Sequence, residues 1–251
     1  MPPGSPTRAA ANRATEPPRA ASRSSREDRL QALLRDLGSE LRQGPGADEA
    51  EGPLASCPTG LPAIDQLTGG GLPRGRLSEL TGPVSSGRTS LALSLLARAT
   101  GAGHCAGWVD GSDAFDPLSA HAAGVALERV LWVRPPSPRE ALRCAERLLE
   151  TTGFPLVVLD LAGREDAAAP HAWQRLARLA ASAHSALTLL GTERRAGTAA
   201  HIALELQPIQ AHWSDGLPLL ERLEFEVVLR RHRAGPPGRR VRVGTPGSRA
   251  A

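Results

Sequence analysis

The sequence predicts an α/β protein with a mainly parallel central sheet flanked by helices and with a C-terminal β-hairpin. Three observations indicate this fold class. Between Cys57 and Gly191, short apolar runs alternate with helical patterns, as in a parallel sheet. A glycine-rich turn at residues 82–87 joins an apolar run to a helical pattern. After residue 200, two apolar runs lead through a Gly-Pro-Pro-Gly turn into a short basic strand.

Each element follows from a local signal. Apolar runs predict strands at residues 77–81, 105–109, 129–133, 155–160, 186–190, 202–206 and 222–231, followed by the basic strand at 239–243. Helical spacing predicts helices at residues 89–100 and 171–185. Another helix opens at Asp116-Pro117, a favourable N-cap followed by proline. A fourth helix begins at Ser137-Pro138, where Glu140 has capping-box spacing.

The chain divides into five segments. Residues 1–25 contain no leucine and are expected to be a disordered tail. Residues 26–43 are predicted to form an amphipathic helix with a leucine stripe, which packs on the protein's own core or on a neighbouring subunit. Residues 44–56 are a predicted linker. Residues 57–232 form the predicted core, and residues 233–251 a basic turn, strand and tail.

Composition excludes several classes of protein. There is no lysine or tyrosine, and a net charge of +4 with a pI near 10.0 permits contact with nucleic acid. No apolar run reaches membrane-spanning length, so we expect a cytoplasmic protein with no membrane contact. Cys57, Cys105 and Cys144 lack ligand spacing, which argues against a disulfide framework or a zinc site.

The most informative segment is the glycine-rich turn. Its backbone N–H groups and the following helix N-terminus would surround a phosphate. The candidate nucleotide-binding residues there are Gly82, Ser85, Ser86, Gly87, Arg88, Thr89 and Ser90. The Thr89 hydroxyl is placed to coordinate Mg²⁺.

Arg88 departs from the phosphate-loop pattern. The pattern requires lysine after Gly87, because a compact ammonium reaches the β- and γ-phosphates. Arginine keeps the charge but is larger, planar and forked. Arg88 therefore predicts weakened or lost ATP turnover, unless its side chain simply points into solvent.

Residues 71–90, GLPRGRLSELTGPVSSGRTS, resemble the bacterial recombinase RecA across its phosphate loop. Upstream, residues 59–72 are similar to the lead-in of RecA-like and KaiC-like ATPases. The segment WVDGSDAFDP, residues 108–117, resembles the RecA segment that carries the catalytic glutamate. The resemblance places that glutamate at Ser112, which cannot act as a general base. Asp113 could substitute only if the strand end were shifted.

Further features sharpen the resemblance. The run LVVLD ends at Asp160 and resembles the Walker B strand, which implies that Asp160 holds Mg²⁺ through water. A RecA-like core with altered catalytic positions and a short arginine-rich C-terminus is similar to the ImuA family, as are Val133-Arg134 and residues 231–243.

The ImuA resemblance implies an accessory protein of DNA-damage-induced (SOS) translesion mutagenesis. Its implied partners are an inactive Y-family polymerase homologue, a specialised DNA polymerase and RecA itself. No catalytic residue is expected, ATP binding would be weak, and Mg²⁺ would bind only together with nucleotide.

Arginines are the candidate contacts to DNA or to partners. The segment after the fifth predicted strand is a reduced version of the second DNA-binding loop of RecA, and the C-terminal hairpin adds further arginines. These candidates are Arg194, Arg195, Arg231, Arg233, Arg239, Arg240 and Arg242. They suit a phosphate backbone, although no aromatic residues interleave to stack bases, so solvent or protein contact is the alternative.

Two other functions stay open. The chain could be an active, DNA-stimulated ATPase of the RecA or KaiC type, with Arg88 on phosphate and Asp113 or another carboxylate as base. It could also be a cell-division inhibitor of the SulA kind, which resembles a RecA core without a working site.

Overall fold

The computed structural model describes residues 55–151, 153–164, 170–213 and 220–246, together with Ala32. The predicted tail at 1–25 lies outside the described residues. The same is true of the predicted helix at 26–43, apart from Ala32, and of the linker up to residue 54.

The described chain is built on one large sheet. Its strands are β1 (Ser56–Cys57), β2 (Leu72–Pro73), β3 (Arg76–Thr81), β4 (Ala106–Asp110), β5 (Val130–Val133), β6 (Leu156–Asp160), β7 (Ala186–Gly191), β8 (Ala200–Trp213), β9 (Leu220–His232) and β10 (Arg240–Pro246). Strands β1 and β2 pair separately, and the eight others lie in the order β10-β9-β8-β3-β7-β6-β4-β5. The strands from β8 to β5 in this order are parallel, whereas β9 and β10 run antiparallel at one end.

Helices cover both faces of the sheet. They are α1 (Pro62–Thr68), α2 (Arg88–Gly101), α3 (Pro117–Ala122), α4 (Pro138–Thr151) and α5 (Pro170–Ser182). Helices α1 and α2 contribute Ile64 and Leu91 to one apolar core. Helices α4 and α5 contribute Leu148 and Leu176 to the other. Alternate residues of the fully buried strand β6 therefore reach opposite cores, as strand geometry requires.

The predicted α/β fold with a mainly parallel sheet is confirmed. The Asp116 side chain caps α3 by accepting hydrogen bonds from the N–H groups of Leu118 and Ser119. The Ser137 hydroxyl accepts from the N–H of Glu140 at the start of α4. The Glu140 carboxylate instead contacts Arg143, which lies one turn further along the helix.

Strand β8 is much longer than the predicted strand at residues 202–206. It continues to Trp213 because β9 supplies antiparallel partners for this polar stretch. The register shifts between Pro208 and Gln210, so the proline lies at an irregularity where the strand tolerates it. Strand β10 pairs with β9 and thus extends the same sheet, which makes the C-terminal hairpin part of the central layer.

The parallel strands place the loops that follow β3, β4 and β6 at one edge of the sheet. In open α/β sheets this edge is where ligands bind. No helix among the described residues is long and apolar enough to cross a membrane.

Leu91→Ala tests the core beneath the sheet. Leu91 is fully buried on α2, so its truncation should lower the free energy of unfolding by about 2–5 kcal/mol in urea titrations. Leu118→Ala is the matched control, since this leucine is 79% exposed and its loss should cost less than about 0.5 kcal/mol. Equal losses in the two variants would contradict the described packing.

Candidate functional site

The loop between β3 and α2 has the curled shape of a phosphate loop. Its backbone turns left-handed at Ser85 and Gly87, with φ of 62° and 88°. A Cβ on Gly82 would lie 2.3 Å from the carbonyl oxygen of Leu206, so β8 leaves no room for a side chain there. A Cβ on Gly87 would lie 3.0 Å from the ring of Phe225. Strands β8 and β9 thus form a wall against which only glycine fits at both ends of the loop.

The predicted phosphate-site residues are brought together along this loop and the first turn of α2. Ser86 is buried and its Oγ has no hydrogen-bond partner among the described residues. Thr89 is half-buried and Ser90 is exposed. The loop frame therefore matches the prediction, while the hydroxyls differ in their access to the space that the loop encloses.

Arg88 does not extend into solvent. Its Nη1 donates to the carbonyl oxygens of Gly82 and of Pro83, the second at 2.7 Å. The Nε atom is buried and has no partner among the described residues. The guanidinium therefore folds back over its own loop, and the interpretation in which it simply faces water does not hold.

Asp160 lies at the end of β6, beside Asp110 of β4 in the strand register. Burial raises the pKa of Asp160, and the nearby Asp110 acts in the same direction. Hydrogen bonds from the Ala162 N–H and from Ser112, and the charge of Arg88, partly offset this rise in pKa. Ser112 is therefore a hydrogen-bonding neighbour of Asp160, and Arg88 lies near enough for its charge to act on that carboxylate.

Asp110 is a site residue that the sequence reasoning missed. It is 2% exposed, and its carboxylate accepts hydrogen bonds from the N–H groups of Ala114 and Phe115 and from Nε1 of Trp132. Ser112 Oγ lies 3.4 Å from Oδ1 of Asp110. These bonds use the carboxylate to anchor the loop after β4. The available signal was an aspartate that ends an apolar strand, as Asp160 does.

The Asp113 carboxylate contacts Arg134 and not the phosphate loop. Its backbone is left-handed, with φ of 58°, and its Oδ1 accepts two hydrogen bonds from Arg134 at 2.9 and 2.6 Å. Arg134 follows β5, which β7, β6 and β4 separate from β3. Asp113 is thus paired with Arg134 beside the edge strand β5.

A second missed residue holds the segment between β7 and β8. Glu79 is fully buried in β3, and its Oε1 accepts from the N–H groups of Arg195 and Ala196, each at 2.7 Å. Nε of Arg194 lies 3.9 Å from the other carboxylate oxygen. These contacts therefore hold the segment between β7 and β8 against strand β3. A charged residue inside an apolar strand was the signal for this contact.

The C-terminal arginines do not form one uniform patch. Nε of Arg231 donates to the Ala200 carbonyl oxygen at 2.7 Å, and Arg239 donates to the Leu67 carbonyl oxygen. Arg240 pairs with Glu226 at 3.4 Å. The three are thus engaged within the chain, although Arg239 and Arg240 are also exposed, as are Arg233 and Arg242.

Within the described parts of the chain, no group of three His, Cys, Asp or Glu residues has the arrangement of a metal centre. Any Mg²⁺ would therefore need phosphate oxygens in addition to Thr89 and Asp160.

Asp160→Asn should stabilise the fold, and more so as the pH rises. The pKa of Asp160 is raised in the folded chain, so its ionised form opposes folding once the pH exceeds the unfolded value. Asparagine removes that charge but keeps an oxygen for the Ala162 N–H. Urea unfolding at about pH 4 and about pH 7 should show a larger gain at the higher pH. A loss at the higher pH would contradict the burial effect.

The sequence is similar to those of bacterial recombinases. Residues 35–172 match the model of the RecA N-terminal domain. Protein RecA of Rubrobacter xylanophilus is 43% identical over 124 residues, which cover 49% of this chain and 35% of that protein. Protein RecA of Clavibacter michiganensis is 39% identical over 145 residues, which cover 56% and 40% respectively. The matched part of the chain thus spans less than half the length of these relatives.

A solved structure has the same fold. The crystal structure of the RadB recombinase superposes with a TM-score of 0.59 at 23% identity, covering 74% of this chain and 94% of that one. The predicted RecA-like core is therefore confirmed. Because the matching model extends over more than half of the sequence, the chain belongs to the RecA N-terminal domain family.

Proposed function

We propose that this chain is a non-hydrolysing RecA-like accessory protein of DNA-damage-induced (SOS) translesion mutagenesis. It would act as an adaptor of the ImuA type, binding an inactive Y-family polymerase homologue, a specialised DNA polymerase and RecA. The observation that carries the proposal is an intact phosphate-loop frame with Arg88 and Ser112 at the two positions where ATP hydrolysis requires lysine and glutamate.

Among the residues that the structure describes, Asp110 and Asp113 are engaged in other contacts, which supports this role. ATP hydrolysis requires a group that orients and deprotonates the attacking water. Ser112 lacks the required basicity, Asp113 is paired with Arg134, and the Asp110 carboxylate is occupied by two backbone N–H groups and an indole. An adaptor needs only a folded domain and its binding surfaces. Neither of these depends on a working catalytic site.

Exposed arginines offer surfaces for partners. Arg233 and Arg242 lie at the C-terminal hairpin, within the segment whose resemblance to the ImuA family motivates the proposal. Their charges suit either an acidic protein surface or the phosphates of DNA.

Steady-state ATP hydrolysis is the first test. The purified protein should turn over ATP at or below background, with and without single-stranded DNA, because Arg88 and Ser112 stand where hydrolysis requires lysine and glutamate. Turnover that DNA stimulates and Thr89→Ala abolishes would establish an active ATPase and overturn the proposal.

Affinity capture from DNA-damaged cells is the second test. The wild-type chain should recover polymerase-type partners, and Arg233→Glu/Arg242→Glu should recover severalfold less if these arginines contact them. Arg178→Glu, an exposed charge reversal on α5, is the control and should leave capture unchanged. Recovery of no polymerase-type protein, or filamentous cells on overexpression, would favour a SulA-like division inhibitor instead.

If the same arginines bind DNA directly, the double variant should show a salt dependence of binding whose slope falls by about 0.9 per lost phosphate contact. An unchanged slope would assign them to protein contacts alone.

A further inference from the structure

Arg88 spans its own loop. It follows Gly87, the last glycine of the loop, whereas Gly82 and Pro83 are the first two residues. Its Nη1 donates to the carbonyl oxygens of both. The side chain therefore joins the two ends of the loop and lies across the space that the loop encloses.

The charge of the same guanidinium also reaches the end of β6. Its positive charge acts on Asp160, the residue that the resemblance assigns to Mg²⁺. Its Nε atom is buried, whereas the side chain as a whole is half-buried. The side chain that bridges the loop is therefore close enough to the end of β6 for its charge to act on Asp160.

A magnesium–triphosphate does not fit this arrangement. The phosphate-loop lysine reaches the phosphates with a compact ammonium. Arginine presents a larger planar fork, which here is bonded to carbonyl oxygens of the loop. Phosphates entering the loop would need the volume that this fork fills, and its two hydrogen bonds would have to break first.

We infer that Arg88 is a built-in plug that keeps nucleoside triphosphates out of the loop. The chain then holds one conformation whether or not ATP is present. The inference concerns the same loop as the proposed function but is separable from it. An adaptor that binds ATP without hydrolysing it would overturn the plug and leave the adaptor role standing.

The test compares the full chain with Arg88→Lys by calorimetric titration and thermal unfolding, with MgATP as the probe. Wild type should show no saturable binding and no rise in unfolding midpoint. Arg88→Lys should unfold at a lower temperature without nucleotide, because the bonds across the loop are lost. It should then bind MgATP at least about tenfold more tightly than wild type, with a midpoint that rises with ligand concentration.

Two control variants locate the effect. Arg88→Gln should lose the bonds across the loop without gaining the lysine charge, so its midpoint should fall and respond little to MgATP. Thr89→Ala added to Arg88→Lys should abolish the gain, which would place the nucleotide in this loop. MgATP binding by wild type as tight as by Arg88→Lys would overturn the inference. A well-folded Arg88→Lys protein that gains no binding would also overturn it, because something other than Arg88 would then close the loop.

Discussion

Two carboxylates lie side by side in the interior of this protein, and the surrounding loops depend on how each is accommodated. Asp110 and Asp160 end neighbouring parallel strands, and both are almost fully buried. A buried charge is costly unless hydrogen bonds satisfy it. Asp110 accepts from two backbone N–H groups and from the Trp132 indole. Asp160 has fewer donors, and burial raises its pKa.

The hydrogen bonds that Asp110 accepts determine the conformation of the loop after β4. Because the N–H groups of Ala114 and Phe115 must point inward to Asp110, the chain turns left-handed at Asp113. That turn sends the Asp113 carboxylate to Arg134 at the surface and leaves Ser112 near Asp160. The Phe115 ring packs at a tilt against the rings of Trp108 and Trp132 beside this loop, with centroids 4.9 and 5.1 Å apart. A catalytic base in the loop after β4 would therefore require that other contacts than those to Asp110 hold the loop in place.

The sequence was sufficient for features that depend on neighbours along the chain. Alternating apolar runs placed the strands, and Asp116 capped its helix as proposed. The phosphate-loop frame was also predictable, because its glycines have conformational roles. Contacts between distant residues were not. Glu79 and Arg195 are 116 positions apart, and nothing in either local pattern names the other. The orientation of the Arg88 side chain could not be predicted either, because both water and the loop carbonyl oxygens can accept hydrogen bonds from a guanidinium.

The edge strand β10 has a consequence for how copies of the chain meet. Arg240 and Arg242 alternate along it, opposite Val228 and Glu226 of β9. An unpaired strand edge is a template for pairing with another chain, and charged side chains are a common protection against it. Two copies approaching through β10 would bring these arginines together and repel each other. Within the described residues, Arg240 and Arg242 are therefore charges on the edge strand that disfavour pairing of β10 with a second copy, although Glu226 partly offsets the charge of Arg240.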